Sequence, residues 1–155
     1  MSELKHTEFM KGLSELIPEH LPAQYRRFHL GETRWFFQVY FGRDRHIHYE
    51  VSRANALCGR MLEVGLHFES RDKTRNQFLL DTFRRYILEL RETLGDGLVA
   101  EEWDRGWTKV YEAYPSEALT LEVQTFAAQR LAALITAMQP LYEFITVGEK
   151  DKEKR

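Results

Sequence analysis

Cysteine and clusters of like charge are scarce in this chain of 155 residues, and their scarcity excludes several classes of protein. The one cysteine, Cys58, excludes an internal disulfide and argues against a metal centre built from several thiolates. Its small neighbours indicate a loop. The 22 basic and 24 acidic residues are interspersed and give a formal net charge of -2, so we expect no nucleic-acid partner.

Long apolar runs are also missing. Segment 1–11 mixes charges and lacks the apolar stretch of a signal peptide, and no uninterrupted apolar segment approaches a membrane span. We therefore expect a cytoplasmic protein with no membrane partner. The content of 43% hydrophobic and 30% charged residues suits one domain with a continuous core. We assign this domain to residues 1–148 and expect the charged segment 149–155 to be a disordered tail.

Three consecutive segments, 35–41, 46–53 and 61–70, alternate apolar and polar residues, which is typical of β-strands with one buried face. The polar positions of the second and third segments carry three histidines and three glutamates. These residues are His46, His48, Glu50, Glu63, His67 and Glu69. One face of the sheet is therefore expected to be apolar, and the other to be chemically mixed.

Matching apolar positions across neighbouring strands predicts the register. In the first pair, Val39 is expected opposite Tyr49, because this pairing keeps apolar side chains together. Two registers remain open for the second pair. One places His48 opposite His67, and the other places His46 opposite His67.

Amphipathic patterns predict three helices. The first ends near Pro18, and the second begins at Ser70 or Asp72. The third runs to about Ile145, with Pro140 kinking or breaking it.

A second hairpin is predicted from segments 98–103 and 107–114. The intervening residues suit a three-residue turn that has Gly106 in the left-handed position. This register sets Trp103 opposite Trp107 on the face that carries other aromatic and charged residues. The small aliphatic residues of the opposite face are expected to meet the helices.

The resulting order, α-βββ-α-ββ-α, predicts a two-layer α+β domain with a five-stranded, mainly antiparallel sheet and helices on one face. This element order resembles the fold of the type III secretion chaperones, which implies a small cytosolic homodimer that holds partner polypeptides without catalysis. A second set of residues comprises MLEVGLHFES, Asn76, Phe78, Leu94, Gly95, Glu101, Glu102 and Trp103. It is similar to an uncharacterised domain found with restriction endonucleases. Neither resemblance assigns a functional residue.

The histidines and glutamates of the mixed face have two interpretations. Imidazole and carboxylate groups on adjacent strands can converge on one ion, so His46, His48, His67 and Glu69 are candidate metal ligands, and Glu50 can also contribute. The chain would then be a small metal-binding protein or a metal-dependent hydrolase or nuclease. The other interpretation is that they are paired polar residues on a solvated or partner-facing surface.

Aromatic side chains on the mixed face indicate a protein contact. The candidates are Phe36, Tyr40, Trp103, Trp107 and Tyr111. Because the opposite face is expected to hold all the helices, subunit association would cover this surface. The favoured prediction is a non-catalytic binding or chaperone-like protein, a homodimer that takes a protein or peptide ligand and needs no cofactor.

Overall fold

The structure is a computed structural model, and it describes residues 2–57 and 59–153. Cys58 lies outside the described residues, and the loop predicted around it is wrong for residues 54–56 and 59, which belong to strands. The helices are α1 (His6–Leu16), α2 (Lys73–Arg85), α3 (Ile87–Leu94) and α4 (Leu121–Glu153). Two short 3-10 turns, Ile17–His20 and Ala23–Tyr25, follow α1.

The strands form one antiparallel sheet. They are β1 (His29–Leu30), β2 (Phe37–Tyr40), β3 (Ile47–Ala56), β4 (Gly59–Phe68), β5 (Val99–Asp104) and β6 (Trp107–Pro115). Their order across the sheet is β1-β2-β3-β4-β6-β5. The α+β class and the antiparallel pairing are confirmed, whereas the prediction of five strands is wrong, because the described residues form six.

The two differences in element order have local causes. Strand β1 has only two residues, which is too short for an alternating pattern, and His29 pairs with Tyr40 at the edge of the sheet. The single predicted helix after β4 is two helices. At Tyr86 the backbone leaves helical geometry, with φ -105° and ψ 10°. Of the two predicted caps of this region, Asp72 is the one confirmed, since its side chain accepts hydrogen bonds from the first turn of α2.

Pairing of the central strands follows the apolar positions. Val39 lies opposite Tyr49, as predicted. Between β3 and β4, His48 lies opposite His67, which decides between the two registers that the sequence left open.

The second hairpin differs from its prediction only at the turn, since Val99 lies opposite Tyr111 and Glu101 lies opposite Lys109, as the predicted register requires. Both Arg105 and Gly106 have positive φ, 53° and 80°, which is the signature of a two-residue type I′ turn. Asp104 therefore pairs with Trp107, and the register shifts just before Asp104. The predicted pairing of Trp103 with Trp107 is wrong, because the sequence suggested a turn one residue longer.

The apolar side chains on one face of the sheet pack against all the helices and form the core. The strand residues include Phe37, Val39, Tyr49, Val51, Val64, Leu66, Phe68 and Val110. Each helix contributes, for example Phe9 of α1, Phe83 of α2, Leu90 of α3 and Leu131 of α4. The helices consequently cover one face of the sheet, and the face that carries His48 and His67 is turned away from them.

Helix α4 continues past Pro140, so of the two predicted effects of this proline the break is wrong, and the kink stays a prediction. The predicted end at about Ile145 is also wrong. Proline cannot bond to the carbonyl of Thr136, but both residues are exposed and that carbonyl can face water. The helix also takes in the backbone of residues 149–153, part of the predicted tail. The domain boundary at residue 148 stays a prediction.

By length and composition alone, segment Leu121–Gly148 could cross a membrane, although charged residues such as Arg130 interrupt its apolar sequence. A core helix of a soluble protein meets the same criterion. Here Leu131, Leu134 and Ile135 of α4 are buried in the core that it shares with the sheet. A cytoplasmic location stays a prediction.

Candidate metal centre

Two histidines and two glutamates meet on the helix-free face of the sheet. His48 and Glu50 are alternate residues of β3, while His67 lies near the end of β4 and Glu69 directly follows that strand. Alternation turns both members of each pair to the same face, and the register sets the pairs side by side. One possible ligand atom from each residue lies within 4.8 Å of the others. We call these four residues the His/Glu cluster.

The cluster is buried although none of the helices in the described part of the chain packs over it. His48 and His67 are each 4% exposed, and Glu50 is 7% exposed. Side chains from neighbouring strands supply the cover. The ring of Trp103 stands edge-on to His67 at 5.8 Å between centroids, and Gln38 reaches over from β2 to Glu50. The sequence predicted the face but not this burial.

The hydrogen bonds of the two histidines fix their donor atoms. His48 Nδ1 lies 3.0 Å from the carbonyl oxygen of Arg45, and His67 Nδ1 lies 2.8 Å from Glu69 Oε2. A carbonyl oxygen can only accept a hydrogen bond, and so can an ionised carboxylate. Each Nδ1 therefore carries the proton and donates. The Nε2 atoms point to one carboxylate: that of His48 is 3.3 Å from Glu50 Oε1, and that of His67 is 3.7 Å from Glu50 Oε2.

This arrangement needs a positive charge. A neutral imidazole protonated at Nδ1 presents a lone pair at Nε2, and a lone pair beside a buried carboxylate is unfavourable. The rings of His48 and His67 are also nearly parallel, at 18°, with centroids 5.5 Å apart. Either protons on the Nε2 atoms or a metal ion between them can satisfy Glu50.

The pKa values of the metal-free cluster follow from these contacts. Burial favours the neutral form of Glu50, but the hydrogen bond from His48, the charge of His67 and the hydrogen bond from Gln38 outweigh burial and lower its pKa to about 2. Burial also favours the neutral form of His48. The hydrogen bond to Glu50 and the charges of Glu69 and Glu50 outweigh that effect and raise the pKa of His48 above its ordinary value.

One distance within the cluster matches a small coordination sphere, and the distance to Glu69 is longer. Tetrahedral zinc with bonds of about 2.0–2.2 Å places its ligand atoms about 3.3–3.6 Å apart. The separations from His48 Nε2 are 3.3 Å to Glu50 Oε1 and 3.9 Å to Glu69 Oε2. The carbonyl of Arg45 would hold the ligating ring of His48 in place, as outer partners of metal-bound histidines do.

The predicted metal ligands agree in part with the cluster. His48, His67 and Glu69 come together, whereas His46 is not one of the four, although its carbonyl accepts a hydrogen bond from the backbone of Glu69. Glu50 takes its place. The sequence indicated that Glu50 could contribute, because it lies two residues after His48 on the same strand and therefore faces the same side.

Residues beside the cluster were not predicted to take part. Lys109 lies opposite His67 on β6 and is 9% exposed. Its Nζ donates to Glu63 Oε1 at 2.8 Å and stands 4.2 Å from the ring centroid of Tyr111. This cation is therefore paired with Glu63, outside the His/Glu cluster.

The predicted aromatic contact face is largely packed on itself. Tyr40 lies against the ring of His29 at 5.1 Å, Trp107 lies against Trp103 at 5.5 Å, and the Tyr111 hydroxyl donates to Glu101 at 2.5 Å. Phe36 and Trp103 nevertheless keep 43% and 42% of their surface exposed. Binding of a second copy or of a peptide to this face stays a prediction.

No protein-family model, curated protein or solved structure matches this chain. The resemblances to the type III secretion chaperones and to the domain found with restriction endonucleases therefore stay predictions.

Proposed function

We propose that this protein binds a divalent transition-metal ion through His48, Glu50, His67 and Glu69. The observation that carries the proposal is that the Nε2 atoms of two buried histidines face the same buried carboxylate. A metal ion would replace the protons that otherwise satisfy this carboxylate. Two neutral imidazoles and two carboxylates would leave the site of a divalent ion without net charge.

The donor set favours zinc, with manganese and iron(II) as the closest competitors, since imidazole and carboxylate ligands suit all three. His48 and His67 would bind through Nε2, and Glu50 would lie between them. Glu69 would be a fourth ligand or the carboxylate that orients His67 through Nδ1, at 2.8 Å.

The proposal is for binding and not for a reaction. Metal-dependent hydrolysis needs an open coordination position and a cavity for the substrate beside the ion. Two clefts, of ≈ 610 Å³ and ≈ 670 Å³, are lined by residues outside the cluster. The cluster itself is covered by side chains of adjacent strands.

The test is metal binding by the full chain after treatment with a chelator. Zinc or manganese chloride is titrated into the protein by calorimetry, and the dialysed complex is analysed for metal by mass spectrometry. We expect one ion per chain in the wild type and none in His48→Ala or His67→Ala. His29→Ala is the matched control, because His29 is an exposed histidine of β1 and should retain the ion.

A wild-type chain that holds no stoichiometric ion would reject the proposal. So would undiminished binding by a folded His48→Ala variant. If that variant does not fold, Glu50→Gln removes a ligand charge with little change of shape and serves the same purpose.

A further inference from the structure

We infer that Gln38 on β2 is a positioning residue of the metal site, which holds the carboxylate of Glu50 between the two imidazoles. This inference rests on the proposed function and adds a third strand to the site. Strand pairing places Gln38 directly opposite Glu50. Its side-chain Nε2 donates to Glu50 Oε1 at 2.7 Å.

The orientation of the Gln38 amide is fixed by a second partner. The backbone N–H of Glu32 donates to Gln38 Oε1 at 3.2 Å. Because an N–H group can only donate, the oxygen end of the amide must face Glu32. The nitrogen end then has to face Glu50, where it donates.

Residues just before β2 pack against the Gln38 side chain and its backbone. Gly31 donates its N–H to the Gln38 carbonyl at 2.9 Å, and Gln38 donates its own N–H to the Glu32 carbonyl at 2.8 Å. A Cβ on Gly31 would lie 3.0 Å from Gln38 Oε1 and 3.1 Å from Gln38 Cβ. The absence of a side chain at Gly31 thus lets the segment pack closely against Gln38 and restrain it.

A restrained Gln38 directs the two oxygens of Glu50. Oε1 accepts the amide hydrogen bond and lies 3.3 Å from His48 Nε2, while Oε2 lies 3.7 Å from His67 Nε2. The terminal torsion of a glutamate side chain is broad, so a carboxylate without this partner would sample other orientations. Loss of an outer hydrogen-bond partner of a metal ligand weakens binding about 10- to 100-fold.

The experiment compares zinc affinities of variants that remove the donor. Gln38→Met keeps the approximate volume of the side chain, and Gln38→Ala removes it. Both are expected to raise the zinc dissociation constant about 10- to 100-fold, measured by competition with a chromogenic chelator. Gln77→Met is the control, since it deletes a 2.8 Å hydrogen bond to Asp81 on α2, and should leave zinc affinity unchanged.

The melting temperature of each metal-free variant separates positioning from a general loss of stability. A merely structural role of Gln38 would lower that temperature without changing the dissociation constant of the folded protein. If the wild type binds zinc and the folded Gln38→Met and Gln38→Ala variants bind it equally well, this inference is overturned and the proposed function is not. A wild type that binds no ion overturns the proposed function and this inference with it.

Discussion

Replacing Glu50 with glutamine in chelator-treated protein should lower the free energy of unfolding most strongly in mildly acidic solution. Burial opposes ionisation of Glu50, but contacts with His48, His67 and Gln38 outweigh it and lower its pKa from 4.5 to about 2. The folded state therefore binds this proton more weakly than the unfolded chain does. Glutamine keeps the shape and cannot carry the charge.

The size of the effect follows from the pKa difference. A difference of about 2.5 between the pKa values of the folded and unfolded states corresponds to about 3 kcal/mol. For a domain of this length, that loss lowers the melting temperature by about 6–12 °C. Glu50 is 7% exposed, so solvent screens the charge only weakly.

The pH dependence has two limbs with opposite signs. The contribution of Glu50 is complete above pH 4.5, the ordinary pKa of a glutamate, and is lost as the pH falls towards about 2. The pKa of His48 is raised, so its contribution is present below its ordinary value of 6.5 and is lost as the pH rises through the higher value of the folded state. The deficit of Glu50→Gln should be largest between these limits.

The assay is urea unfolding, followed by tryptophan fluorescence, at about pH 3, about pH 5.5 and about pH 8. Glu63→Gln is the control on the same face and at the highest of these pH values, because its partner, 2.8 Å away, is Lys109 and not a histidine. Its deficit should persist there, whereas that of Glu50→Gln should shrink. An equal Glu50→Gln deficit at the two higher pH values would refute the reasoning.

Three further predictions concern packing and assembly. Gly65→Ala should cost about 1–3 kcal/mol in chemical unfolding, because the new Cβ would lie 2.5 Å from Tyr111 Cβ; an equally stable variant would contradict the close approach. Glu112→Leu should lower the free energy of unfolding by about 3 kcal/mol, because it removes the carboxylate that Arg130 contacts at 2.6 and 2.9 Å. Adding Arg130→Met should recover part of this loss, and strictly additive costs of the two substitutions would contradict the prediction. Light scattering should give the mass of a dimer, and Trp103→Ala should weaken the association. A monomeric mass for the wild type would contradict the predicted dimer.

The central strands could be predicted because each has one buried face. Apolar residues at every second position have only a few registers that keep them together, so the pairing of Val39 with Tyr49 followed from the sequence. Between β3 and β4 two registers satisfied that condition. The sequence could not choose between them, and the structure pairs His48 with His67.

Features set by single backbone angles escaped prediction. The turn after β5 has two residues and not three, because Arg105 adopts a positive φ of 53°. A residue with a side chain is uncommon in that conformation, so the sequence favoured a turn with glycine alone in it. The break between α2 and α3 at Tyr86 is similar, since no proline or glycine marks it.

The candidate site was predictable as a face but not as a cluster. Alternation placed His48, His67 and Glu69 on one side of the sheet. The predicted pairing of Val39 with Tyr49 already places Gln38 opposite Glu50. The hydrogen bond of Gln38 to Glu50 depends on side-chain conformation, and the contact of His48 with the Arg45 carbonyl depends on the shape of the turn before β3. Neither can be obtained from the spacing of ligand types.

Burial decides which chemistry the face can support. A solvated pair of histidine and glutamate exchanges protons with water and contributes little, whereas Glu50, at 7% exposure, has mainly protein groups to compensate its charge. Gln38 supplies one hydrogen bond, and the remaining compensation has to come through the Nε2 atoms of His48 and His67. Protons and a metal ion would compete for these same atoms. The contacts that make the metal-free cluster stable in mild acid are therefore the ones that a bound ion would replace in neutral solution.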